Sequence, residues 1–103
     1  MRVISHRSIR QFVARFPDSA EPLHHWFRLT TAANWRNFSD VRRTSFGQTD
    51  QAKVDSGNAV LIFDIGGNQY RLIASVSYPK GKVYILRILT HKEYDKNLWK
   101  RQL

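Results

Sequence analysis

The stretch from Phe63 to Asp95, FDIGGNQYRLIASVSYPKGKVYILRILTHKEYD, constrains the fold more than any other part of the chain. Ala59 to Ile65 is a short, mostly apolar run, and Tyr70 to Tyr78 and Lys82 to Thr90 are two more. All are rich in β-branched and aromatic residues and bounded by Gly, Pro or Asn, which is the pattern of three consecutive strands joined by hairpins. Gly66, Gly67 and Asn68 can supply the positive φ angles of a tight first turn, with a two- or three-residue loop fitting equally well. In the second turn Pro79 suits the first central position of a type I turn, and Gly81 the left-handed position after it.

A three-residue loop there sets Tyr78 opposite Lys82 and Ile73 opposite Arg87. Arg71 then lies diagonally from Arg87 on the same face, roughly 7–8 Å away. That face also carries Ser75 and Ser77 and reads as partly open. The opposite face is apolar and is expected to meet helices: Leu72, Ala74, Val76 and Tyr78, with Tyr84, Leu86 and Ile88. A one-residue change in loop length would move the arginines apart.

The rest of the chain reads as cover for this sheet. Met1 to Ile4 forms a short opening strand, and Ser5 sits where a helix N-cap belongs. Ile9, Phe12, Val13 and Phe16 follow at helical spacing until Pro17. Asp18-Ser19 opens a second helix whose inward stripe is Leu23, Trp26, Phe27 and Thr30. Asn34 to Ser45 holds Trp35, Phe38 and Val41, with a short helix expected from Ser39. Trp35 and Phe38 are expected to seal one end of the core rather than to stack on bases. Gly47 to Asn58 is polar and reads as a loop carrying Lys53. The tail from Lys96 is either a helical end docked through Leu98 and Trp99 or a basic extension. The whole, residues 1–103, reads as one domain with no repeat or low-complexity segment.

Charge narrows the function. Seventeen Lys and Arg against eight Asp and Glu give a net charge of +9, and arginines outnumber lysines eleven to six. Such an excess on a small domain points to a polyanion, nucleic acid or the ribosome, and arginine favours phosphate contacts and stacking on bases. No cysteine is present, which removes disulfides and thiolate metal sites and fits a reducing cytoplasm. No apolar run approaches the roughly 20 residues of a membrane span. His24-His25 looks like a metal pair, but neighbours on a helix point about 100° apart. Their partners four residues on, Arg28 and Leu29, are not ligands. No metal or cofactor is expected.

The last strand runs into Thr90-His91-Lys92-Glu93-Tyr94-Asp95-Lys96. If this segment is helical, His91, Tyr94 and Asp95 share a face by their three- and four-residue spacing. An unperturbed imidazole titrates at about 6.5 and carries protons either way near neutral pH, whereas a phenol at about 10 needs nearby positive charge to act as a base. An arginine grips a phosphate with two parallel hydrogen bonds and stabilises its developing charge. These are the parts of acid–base chemistry on a phosphodiester. A His-x-x-Tyr pair alone is more often a surface turn.

With these residues in view, the chain resembles the HigB toxins of bacterial type II toxin–antitoxin systems, a branch of the RelE/ParE superfamily. The resemblance rests on Asn34-Trp35-Arg36-Asn37-Phe38-Ser39-Asp40-Val41-Arg42, on Phe63-Asp64-Ile65-Gly66-Gly67-Asn68-Gln69-Tyr70-Arg71-Leu72-Ile73, and on Thr90 to Lys96. It implies a RelE-like α+β fold: a small antiparallel sheet of three C-terminal strands plus the short N-terminal strand, covered by two N-terminal helices. It implies an endoribonuclease that cleaves mRNA on the translating ribosome by metal-free attack of the ribose 2′-hydroxyl. It also implies neutralisation by a helix-turn-helix antitoxin of the HigA type, with operator DNA bound only through the toxin–antitoxin complex, and a cytoplasmic location away from membranes.

By the same resemblance Arg71 matches the superfamily's phosphate-gripping arginine. His91 and Tyr94 match the C-terminal pair of general base and acid, in either order. Arg87, Lys92 and Lys53 are supporting contacts to RNA; some relatives carry the strand arginine one residue earlier, where this chain has Leu86. The rival reading is a basic protein that blocks the ribosome or gyrase without cutting, since the fold alone does not choose the target. A third is an inactive relative kept for operator binding with its antitoxin.

Overall fold

The computed structural model describes residues 1–44, 48–67 and 69–103. Five strands form one sheet in the order β1-β5-β4-β3-β2. They are β1 (Arg2–Ile4), β2 (Asp50–Lys53), β3 (Ala59–Ile65), β4 (Tyr70–Ser77) and β5 (Lys82–Thr90). The helices are α1 (His6–Arg15), α2 (Ala20–Ala32), α3 (Phe38–Arg43), α4 (His91–Asp95) and α5 (Trp99–Gln102), with one 3-10 turn at Pro17–Ser19. The α+β architecture is as expected, with the opening strand in place: β1 runs parallel to β5, with Val3 beside Val83. β2 corrects the expected loop. Asp50–Lys53 pairs antiparallel with Ala59–Ile62, so the sheet has five strands rather than four. Its sequence, DQAK, is polar because it is a short edge strand, and such strands carry charge to blunt their open side.

One face of the sheet holds the main core. Ile9 and Phe12 of α1, Leu23 and Trp26 of α2, and Trp35 and Val41 around α3 bury against Leu61, Phe63, Ile65, Leu72 and Ala74. Trp26 meets Phe63 edge-on at 5.4 Å, and Trp35 stacks on Phe63 at 6.3 Å, so Trp35 and the half-buried Phe38 do close that end of the core. Ser5 occupies the N-cap position of α1 without making a side-chain capping bond. α3 starts at Phe38 rather than Ser39, because Asn37 caps it by accepting from the Asp40 N–H at 3.0 Å. The expected segments ending at Ser45 and beginning at Gly47 reach outside the described residues there.

The hairpin registers differ from expectation at two points. Ile65 pairs with Tyr70, so residues 66–69 all lie in the first connection, which is longer than two or three residues. Gly66 and Gly67 adopt the positive φ angles that such a turn uses; Asn68 lies outside the described residues. In the second hairpin the Gly81 N–H donates to the Tyr78 carbonyl at 3.2 Å, and Gly81 is left-handed as expected. The connection is nevertheless one residue longer than expected: Ser77, not Tyr78, opposes Lys82. An irregularity between Ile73 and Ala74 absorbs the difference. Ala74 pairs with Ile85 and Ile73 with Arg87, which leaves Leu86 as the extra residue of a bulge. Val83, Ile85 and Ile88 therefore face the helices, while Leu86 joins the other face and Tyr84 opposes Ser75.

That other face is partly closed by the chain's own end. Trp99 is buried against Val54, Val60, Ile62 and Ile73. Leu98, the other expected anchor, is 52% exposed. Among the described residues no helix is long and apolar enough to cross a membrane.

Candidate active site

The site is built where β3 ends, β4 begins and β5 turns into α4. The turn is set by sequence: Thr90 caps α4 by accepting from the Glu93 N–H at 3.2 Å, and Glu93 reaches back to the Thr90 N–H at 3.1 Å. The His91 N–H donates to the Gln69 carbonyl at 3.0 Å, which ties the start of α4 to the end of the first hairpin.

Arg71, the second residue of β4, points to the face away from α1 and α2 and is only 9% exposed. A charge that deep needs partners. Asp64 stands directly across on β3 and meets its Nε at 3.1 Å. The Tyr70 carbonyl accepts from Nη1 at 3.1 Å. Tyr94 brings its ring to 5.3 Å from the guanidinium carbon, a cation–π distance.

Tyr94 is itself held from the tail. Trp99 stacks on it at 5.4 Å with planes 15° apart, and the Trp99 indole N–H donates to the Tyr94 carbonyl at 3.1 Å. The chain reverses between them through Asn97 at φ +58°, the left-handed region that asparagine tolerates better than most residues. Burial pushes the Tyr94 phenol above the ordinary range. Arg71 pulls it back, and the carboxylates of Asp50, Asp64 and Asp95 push it up further. The net direction is upward, so Tyr94 is a neutral hydroxyl at physiological pH, a form that can donate a proton. The condition for a tyrosine base, dominant positive charge, is not met.

His91 lies one turn before Asp95, and its Nδ1 stands 2.9 Å from the carboxylate. With Nδ1 engaged there, the ring orientation is set by Asp95. The side chain is 47% exposed. α4 thus delivers His91 and Tyr94 on the spacing read from the sequence, and Tyr94 reaches Arg71.

The supporting residues are more dispersed. Lys92 is exposed on α4 beside His91. Arg87 opposes Ile73 as expected, but its Nη1 donates to the Leu86 carbonyl at 2.7 Å. It borders a cleft with Ser8, Gln11, Phe12 and Arg15 of α1, so it and Arg71 are tied to different partners. Lys53 opposes Ala59, five residues along β3 from Asp64, or roughly 17 Å at about 3.3 Å per residue. The fold does not bring it to Arg71.

Sequence reasoning passed over Asp64 and gave Trp99 only a docking role. Asp64 had a signal: it is the one charged residue in the apolar run AVLIFDI. Placing it opposite Arg71 needed the first hairpin's register, which its Gly-rich turn left open.

Comparison with known proteins gives the family. The mRNA interferase HigB of Escherichia coli O6:H1 is 28% identical over 96 residues, covering 93% of this chain and 90% of that protein. The mRNA interferase toxin HigB of Escherichia coli K12 is 47% identical over 34 residues, a third of each chain, and the mRNA interferase HigB of Shigella flexneri matches to the same extent. The family model described as HigB_toxin, RelE-like toxic component of a toxin-antitoxin system, matches residues 19–97, a span that takes in Asp64, Arg71, His91 and Tyr94. The chain belongs to that family of RelE-like toxins.

Proposed function

We propose that this protein is an endoribonuclease toxin that cuts mRNA on the ribosome. The observation that carries the reading is the approach of Arg71 to Tyr94, beside a helix that also bears His91, on a protein of charge +9. Its similarity to proteins named mRNA interferase supports the same substrate class.

In this mechanism His91 takes the proton of a ribose 2′-hydroxyl as its oxygen attacks the adjacent phosphorus. Arg71 stabilises the negative charge that builds on the non-bridging oxygens. The bond from phosphorus to the 5′-oxygen breaks, and Tyr94 protonates the leaving oxygen. The products are a 2′,3′-cyclic phosphate and a 5′-hydroxyl, and no metal takes part. Asp95 orients His91 through Nδ1, which leaves Nε2 as the base. Lys92 and Arg87 add contacts to the RNA backbone. The ribosome supplies orientation by holding the message in near-attack geometry, so these modest groups suffice. A helix-turn-helix antitoxin of the HigA type neutralises the toxin in the cytoplasm, and operator DNA is bound only by their complex.

The test is translation of a defined mRNA on purified ribosomes with 5′-end mapping, for wild type and His91→Ala. Cuts with wild type that vanish in the variant support the mechanism. Inhibited translation with intact mRNA in both would replace it with a non-cleaving binder, and efficient cutting of naked RNA would remove the ribosome from it.

A further inference from the structure

We propose that Asp64 is a positioning residue for this reaction: its carboxylate fixes the rotation of the Arg71 guanidinium so that the arginine meets the scissile phosphate in one orientation. The inference rests on the ribonuclease reading above.

Asp64 and Arg71 face each other across β3 and β4, and the ion pair closes at Nε, the root of the guanidinium fork, at 3.1 Å. The Tyr70 carbonyl takes Nη1 at 3.1 Å, and the Tyr94 ring lies 5.3 Å from the central carbon. Two in-plane contacts stop the planar group from rotating, and the aromatic contact limits its tilt. Orientation matters here because a misplacement of about 1 Å can cost roughly a hundredfold in rate. Aspartate is also disfavoured in a strand interior, and rules of this kind are broken most often at functional sites.

The pair has an opposite reading, in which Asp64 masks Arg71 by occupying it in place of phosphate. The cleavage rate, not binding, separates the two. Asp64 repels an arriving phosphate, so its removal should leave binding unchanged or tighter under either reading. Under positioning the cleavage step slows. Under masking it quickens.

The experiment compares wild type, Asp64→Ala and Asp64→Asn in single-turnover cleavage on programmed ribosomes, with maximal rate and half-saturation measured separately. Asp64→Ala is expected to lower the maximal rate by about tenfold to a hundredfold with half-saturation unchanged or lower. Asp64→Asn, whose amide oxygen still accepts from Nε, should recover most of the rate. Because Asp64→Ala leaves a nearly buried charge without its carboxylate, thermal unfolding is followed in parallel. Solvent exchange of the Arg71 Nε–H is read by NMR, and it should be slow in wild type and Asp64→Asn and fast in Asp64→Ala. Faster cleavage by Asp64→Ala overturns the proposal, as does equal cleavage by all three proteins. Parallel loss of rate, binding and folding, unrelieved in Asp64→Asn, overturns it as well. If wild type leaves the message intact, the ribonuclease reading itself falls and takes the proposal with it. A slow Nε–H exchange would then show that the pairing had formed, and that the chemistry was what failed.

Discussion

The two faces of the sheet bury tryptophans to different ends. Under α1 and α2, Trp26 belongs to the larger buried core, thirteen residues among those described, and its ring meets Phe63. On the other face Trp99 belongs to a cluster of five among the described residues, and its ring lies against Tyr94, which in turn contacts Arg71. Fully burying one large apolar side chain is worth about 1.5–3 kcal/mol, so the first face supplies most of the stability. The second is a smaller core that gives a nearly buried arginine and a tyrosine fixed neighbours. A sheet covered on one face and half covered on the other can hold charge at low cost to its fold.

The largest effect expected across this divide is on the chemical side. Arg71→Ala should reduce mRNA cleavage by about 10²–10³-fold, the scale of losing one group that stabilises developing charge. Arg71→Lys should not rescue it, because an ammonium cannot reproduce the planar fork. Cleavage rates on ribosomes, with circular dichroism to verify folding, check both variants. Next come the two tryptophans. Trp26→Ala should cost about 3–5 kcal/mol in denaturant unfolding. Trp99→Ala should cost less, because the small cluster can relax, yet it should slow cleavage by the folded protein as Tyr94 loses its stacking partner. Equal destabilisation with unimpaired cleavage would erase the distinction between the faces. Smaller again, Asn37→Ala removes the cap of α3 on the helix-covered side and should cost about 1 kcal/mol while leaving cleavage unchanged.

The subtlest effect is on pH. Burial, chiefly, raises the Tyr94 phenol; Tyr78 is raised by burial, and Tyr70 by its hydrogen bond to Asp18 at 2.6 Å. A raised folded value means that the stabilisation is complete below the unfolded phenol's pKa of about 10 and is lost as pH rises through the folded one. The contribution of these tyrosines should therefore decline on the alkaline side. The difference in phenolate absorbance between wild type and Tyr94→Phe should show Tyr94 ionising later than free tyrosine.

What the sequence made legible follows the same divide. The helices and three main strands show apolar periodicity, and periodicity comes from burial against a large core. α1, α2, β3, β4 and β5 are therefore readable from Ile9, Phe12, Leu23, Trp26 and the aliphatic runs. β2 was not, since an edge strand spelled DQAK buries almost nothing. The bulge at Leu86 was not either, because a longer turn and an extra residue cancel by Ile73, and either register gives an apolar face. His91, Tyr94 and Asp95 were readable from helical spacing. The pairing of Asp64 with Arg71 was not, since it depends on a cross-strand register that no local signal sets.

The pairing of β1 with β5 has a consequence for how the protein is born. Val3 finds Val83 only after some eighty residues have been made, so the opening strand must wait through most of synthesis, at about 5–20 residues per second. Trp99 comes later still, and the stack on Tyr94 cannot close without it. The parallel edge of the sheet and the stack on Tyr94 thus both wait on the later part of the chain, while the helices that cover the other face are made first.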